Sequence, residues 1–194
     1  MRKYWMMVIA VLLIGSTALS QEEKVVEKLS KKEARKEKRA QKQEIFEINK
    51  AYGINLIDER NFVLQADRLS GKNNMPIPVD RGVNFVKIEG DQMIIQFGLI
   101  NQLGLNGLGG TTFQGRIMDL DAGDRGEGKA YSVRTQFYTP ILNGVATVNL
   151  EIRGDKARAS LWSNGRVINF EGNYGTNEDI KVAQGINNRV VVAN

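Results

Sequence analysis

Two patterns divide the chain. Between residues 22 and 52 charged and polar positions dominate, with no Gly or Pro among them. Beyond Asn61, short runs of alternating apolar and polar residues are separated by Gly- and Asn-containing turns. The first pattern predicts a helix, because Lys, Glu, Ala, Arg and Gln are strong helix formers. The second predicts strands, since alternation with period two lines one face of each strand with core residues. Ahead of both, Arg2 and Lys3 precede an unbroken apolar run from Trp5 to Ile14 and a small-residue exit, Ala18-Leu19-Ser20. Positive head, short apolar run and small-residue exit together read as a secretory signal peptide over residues 1–20. The run is shorter than the roughly 20 apolar residues that span a bilayer. The expected mature protein is exported, periplasmic or extracellular, and soluble. A retained N-terminal anchor is the alternative.

Within the segment 21–52 the apolar residues gather at the ends. Val25, Val26 and Leu29 mark one; Ile45, Ile48 and Tyr52, spaced i, i+3, i+7, mark the other and are expected to pack on the domain that follows. Between Ser30 and Glu44 only Ala34 and Ala40 are apolar, so no heptad seam supports a coiled coil. The plain reading is a charged helical spacer. A sharper one is an arm that touches an anionic surface through residues 24–42, and partial disorder is the third.

Eight strands are expected in residues 53–174: Phe62–Asp67, Val83–Glu89, Gln92–Gly98, Phe113–Asp121, Lys129–Tyr138, Val145–Arg153, Lys156–Ser163 and Arg166–Tyr174. Short strands in series with tight turns predict a mainly β protein, an eight-stranded antiparallel meander closed as a barrel or folded as a sandwich. Gly90-Asp91 and Gly154-Asp155 suit two-residue II′ turns, and Asn164-Gly165 suits I′. Two-residue turns set register, so cross-strand pairs follow by counting. Ile152 then meets Ala157, Leu150 meets Ala159, Val148 meets Leu161, Leu161 meets Ile168 and Ala159 meets Phe170. Near Gly90-Asp91, Ile88 meets Met93 and Val86 meets Ile95. On the opposite face Glu151, Arg158 and Glu171 form a charge ladder beside Trp162. Ser70–Asp80, with Pro76 and Pro78, reads as a long loop, and Gln102–Thr112 as a glycine-rich one. Residues 175–194 read as a flexible extension or an added edge strand.

Composition narrows the chemistry. The chain has no Cys and no His, so disulfides, thiol chemistry and the usual His-based catalytic pairs and metal sites are excluded. Its formal charge of +5 is uneven. Residues 52–194 hold 15 basic and 15 acidic side chains, so the β domain is neutral and carries no basic groove for nucleic acid.

Several motifs fail on inspection. Gly104, Gly107, Gly109 and Gly110 have no following Gly-Lys-Ser/Thr and run into a strand, so a phosphate loop is not expected. Asp119, Asp121 and Asp124 depart from a calcium loop, with Gly123 and Ala130 where ligands belong. Arg153-Gly154-Asp155 is an adhesion tripeptide by letter, already used as a turn. Glu151 and Glu171 suit a glycosidase pair in spacing only, because Arg158 between them would keep both ionised. No catalytic residue, metal or cofactor is therefore expected. The aromatics Phe62, Phe85, Phe97, Phe113, Phe137 and Phe170 read first as core and second as pocket lining. If there is a binding site, its candidates are Phe97, Leu103, Leu105, Leu108 and Phe113, at the sheet end beside the glycine-rich loop.

These residues resemble a catalogued domain of unknown function, found in small exported proteins of the Bacteroidetes group. The matching features are Asn61-Phe62-x-Leu64-x-Ala66, Val86-x-Ile88-x-Gly90-Asp91, Phe97-Gly98, Gly109-Gly110, Phe113-x-Gly115-x-Ile117, Ser163-Asn164 and Glu171-Gly172. They span roughly residues 40–174. The resemblance implies an antiparallel β fold in the periplasm or beyond, often as a lipoprotein; here no lipid-attachment Cys is present. It implies no activity. The function expected from all this is a non-enzymatic exported domain that binds an apolar small molecule or an envelope protein. The alternative is a structural spacer acting through the charged helix. Oligomeric state is left open.

Overall fold

The alternating runs close on themselves. A computed structural model describes residues 31–72, 75–98, 110–142, 144–163 and 165–185. The expected signal peptide, Leu103, Leu105, Leu108, Asn164 and the last nine residues lie outside them. The strands are β1 (Asn61–Ser70), β2 (Ile77–Pro78), β3 (Phe85–Glu89), β4 (Gln92–Gly98), β5 (Gly110–Asp124), β6 (Tyr131–Thr139), β7 (Gly144–Arg153), β8 (Lys156–Ser163) and β9 (Arg166–Gly175). Each of β3 to β9 pairs antiparallel with its neighbour, and β9 returns to β1 from Val63↔Gly175 to Ser70↔Asn169. The result is a closed eight-stranded barrel, with β2 an extra two-residue strand on β1. The expected loop Ser70–Asp80 thus holds a ninth strand. Pro78 is tolerated there because β2 is an edge.

The register inferred from the turns is the register found. Val148 lies opposite Leu161, Leu150 opposite Ala159, Leu161 opposite Ile168, and Val86 opposite Ile95. Gly90 (φ 55°) and Gly154 (φ 59°) hold the positive φ at the first turn position that a II′ turn requires. An eight-stranded barrel has an interior that side chains just fill. Here large residues face small ones: Phe137 lies opposite Ala146 and Phe170 opposite Ala159, all four essentially buried.

The helix, residues 31–58, runs six residues past the end expected at Tyr52. Gly53 does not stop it. A Cβ at Gly53 would lie 2.8 Å from Ile152 Cγ2, so the glycine lets the helix approach the barrel closely. The helix ends instead at Arg60, which takes a left-handed φ of 55° where glycine is usual. The buried face is also not the one expected. Ile45, Ile48 and Tyr52 are exposed, while Phe46, Lys50, Gly53, Ile54 and Ile57 turn inward, and Leu56 and Ile57 join the barrel core. The chain divides into two compact units, residues 1–44 and 45–194. Within the second, the last turns of the helix close the barrel end that carries the turns at Gly90 and Gly154. Gly90 N–H donates to Arg60 O (2.9 Å), and Tyr174 O–H reaches both Asn49 O and Gly154 O (2.6 Å each).

The tail after β9 is neither edge strand nor free extension over residues 176–185. It crosses the outer face of β1, β3 and β4 in irregular conformation. Ala183 N–H donates to Gly82 O, and the Gln65 and Gln96 side chains donate to Lys181 O and Ala183 O. Val63, Phe85 and Ile94 are buried, although they face away from the interior cluster, on the face the tail crosses.

Candidate functional site

With one barrel end closed by the helix, the opposite end is where strand ends leave space. Residues 70 and 85, 98 and 110, 139 and 144, and 163 and 166 bound the four connections there, the first of which holds β2. A cavity of about 440 Å³ opens at this end, lined by Phe97, Phe113, Leu142, Leu161, Ser163, Arg166 and Ile168. Its volume lies within the range of small-molecule sites. The rings of Phe97 and Phe113 stack, with centroids 5.9 Å apart, and form one apolar wall. Leu161, buried, and Ile168, half-buried, form another. Alternation along β8 and β9 sets the remaining polar groups: Ser163 and Arg166 pair at the end of the hairpin, each two positions nearer the turn than Leu161 and Ile168 respectively. They share the inward parity of those residues.

The structure therefore brings Phe97 and Phe113 together at one cavity. The other candidates, Leu103, Leu105 and Leu108, fall outside the described residues. Leu142, Leu161, Ser163, Arg166 and Ile168 were missed as lining residues, because only barrel closure brings the ends of β8 and β9 across the interior from those of β4 and β5. Arg166 did carry a legible signal, as a charge on the apolar parity of its strand.

Two further hollows lie on outer faces. One, of about 130 Å³, is lined by Glu151, Arg153, Lys156, Ala157, Arg158 and Glu171. Arg158 lies opposite Glu151 on one side and Glu171 on the other, as expected, and Arg68 extends the row beyond Glu171. Yet the ion pair made here joins Glu151 to Arg153 (3.1 Å), its neighbour on the same strand, and not to Arg158. The second hollow, about 530 Å³, is lined by Asp121, Asp124, Arg125, Arg134 and Glu151 among others. Among the described residues no group of three or more acidic side chains is placed to hold a metal ion.

Asp124 has a different task. Lys50, on the buried helix face, donates to Asp124 Oδ1 (3.3 Å) and Gly126 O (3.1 Å) and pairs with Glu47 (2.8 Å). Glu47 in turn accepts from Gly128 N–H (2.6 Å), and Asp124 from Gly126 N–H (2.9 Å). The bond to Glu47, and then Asp124, raises the Lys50 pKa against the opposing effect of burial. Lys50 holds Glu47 below the usual carboxylate value, and the Gly126 amide does the same for Asp124. This cluster clasps the helix to the β5–β6 loop. Tyr174, stacked between Tyr52 and Phe62, is pushed up to about 12 by burial.

Among the described residues no helix is long and apolar enough to cross a membrane. No family model matches the chain, and no curated protein matches it. Among solved structures it is similar to the crystal structure of a DUF4251 family protein from Bacteroides eggerthii DSM 20697. That similarity has a TM-score of 0.56 at 18% identity and covers 71% of this chain and 94% of that one. What the two share at that identity is the fold.

Proposed function

We propose that this chain is an exported, non-catalytic binding protein that takes an apolar small molecule at the open end of its barrel. The observation that carries the reading is the cavity of about 440 Å³ with Phe97, Phe113, Leu142, Leu161 and Ile168 in its walls. A barrel whose interior were fully packed would have no use for stacked aromatics facing space at one end. The proposal extends the site to Leu103, Leu105 and Leu108, which lie in the connection from β4 to β5. Export rests on the leader pattern of residues 1–20, and N-terminal sequencing of protein from fractionated cells should find a start near Gln21.

Native mass spectrometry of gently purified protein tests the binding reading. A non-covalent adduct is expected, and Ile168→Trp, which fills the cavity from a half-buried position, should abolish it. Bare monomer from wild type, together with no uptake of an apolar fluorescent probe, would count against the reading.

A second reading has its own support. Every residue from Lys31 to Ile45 is exposed, which suits a spacer or an arm meeting an envelope protein or anionic surface through residues 24–42. Deleting residues 22–44 should abolish envelope association under this reading and leave ligand uptake unchanged.

A further inference from the structure

We propose that the ligand is a single-chain anionic amphiphile, its acid group held by Arg166 and its chain lying among the cavity's apolar walls. The inference rests on the binding reading above and names its ligand class. Three observations carry it. First, Arg166 occupies an inward position: it follows the parity of Ile168 and Phe170 along β9 and pairs with Ser163, which follows that of Leu161 along β8. An arginine needed only for solubility beside a turn would sit on the outward parity, as Arg158 does. Second, Arg166 is exposed at the cavity rim and makes no ion pair among the described residues, so its guanidinium donors are open to a ligand. Third, no acidic side chain appears among the residues described as lining the cavity, so the site carries a net positive charge.

A guanidinium beside an apolar wall favours a planar or tetrahedral oxyanion, which it can hold through two parallel N–H bonds. The low-dielectric wall strengthens that attraction relative to open water. The Ser163 hydroxyl, at the paired position, is placed to donate a further bond to the same group. The opposite orientation, acid inward, would bury a charge against Phe97 and Phe113 without a partner, which is strongly unfavourable.

The test is calorimetric titration of the full chain with three probes of one chain length: decanoate, decanol and decyltrimethylammonium. Decanoate should bind about tenfold more tightly than decanol, equivalent to about 1.4 kcal/mol, and the ammonium amphiphile more weakly than either. Arg166→Ala should bring decanoate to within about twofold of decanol while leaving decanol unchanged; Arg166→Lys should restore part of the preference. Decyl phosphate in place of decanoate separates the two acid sources: a larger Arg166-dependent gain for one identifies the head group. Equal binding of decanoate and decanol to wild type, or a preference that survives Arg166→Ala, would overturn the anionic-head inference and leave the apolar cavity standing. Decanol that binds wild type and Ile168→Trp equally well would overturn the cavity reading itself.

Discussion

Leu161 and Ile152 lie on neighbouring strands of the same barrel face, yet truncating them should cost different amounts. Both are buried and inward-facing, at 3% and 0% exposure. Leu161 lines the open cavity, whereas Ile152 sits under the helix at the closed end, where even a Cβ on Gly53 would crowd it at 2.8 Å. Each change to Ala removes three carbons from an apolar setting, about 2.4 kcal/mol at roughly 0.8 kcal/mol per methylene. At Leu161 the vacated volume merges with existing open space, so little is added and the expected loss is about 2–3 kcal/mol. At Ile152 no such space exists. The new void there adds about 24 cal/mol per Å³ and brings the loss to about 4–5 kcal/mol, the top of the range for such truncations. Urea unfolding followed by far-UV circular dichroism, with common slopes, measures both. A loss at Leu161 equal to or above that at Ile152 would show that the barrel is closed at Leu161 and that the cavity is not open there. A midpoint unchanged in Leu161→Ala would put the inward face itself in error.

Other substitutions probe the remaining parts of the structure. Arg158→Ala, at an exposed position without an ion pair among the described residues, should cost less than about 0.5 kcal/mol in the same urea assay, at low and high salt alike; a larger loss would reveal a working ladder. The Glu47 and Asp124 carboxyls titrate below their ordinary 4.5 and 3.8, so their contribution is present above those values and lost as pH falls through the lowered ones. Lys50 titrates above its ordinary 10.5, so its contribution is present below that value and lost as pH rises through the raised one. Thermal melts from pH 2 to 7 should therefore show a shallower acid limb in Lys50→Met than in wild type. Gln96 is buried, accepts from Thr112 Oγ1 and Gly185 N–H, and donates to Val83 O and Ala183 O. Gln96→Leu should cost about 2 kcal/mol or more and speed proteolytic cleavage within residues 176–185. Arg60→Gly should stabilise by about 1 kcal/mol, because the left-handed φ at this helix end costs an L-residue roughly that much; a lower urea midpoint would refute it.

The eight barrel strands, the pairing of consecutive ones and their inward face were legible in the chain itself; the short β2 was not. Gly90-Asp91 and Gly154-Asp155 allow only two-residue turns, and period-two alternation leaves one register that buries Val148, Leu150, Leu161 and Phe170 together. Local chemistry is enough for that, since each pair lies within one hairpin. The charged helix was legible from propensity, but its end and its buried face were not. Gly53 looks like a stop until Ile152 is seen beneath it, and a lysine at position 50 looks like surface until Asp124, Gly126 and Glu47 are seen around it. Those partners lie more than seventy residues away in the chain or become relevant only once the helix is docked. Closure of the barrel likewise depends on β1 meeting β9, whose paired residues lie 99 to 112 positions apart, and hairpin rules carry no information about that contact. Closure also assembles the cavity, by joining Phe97 and Phe113 from one hairpin to Leu161, Arg166 and Ile168 from another. Sequence determined which residues face inward; only the closed sheet decided which of them face each other, and which face open space.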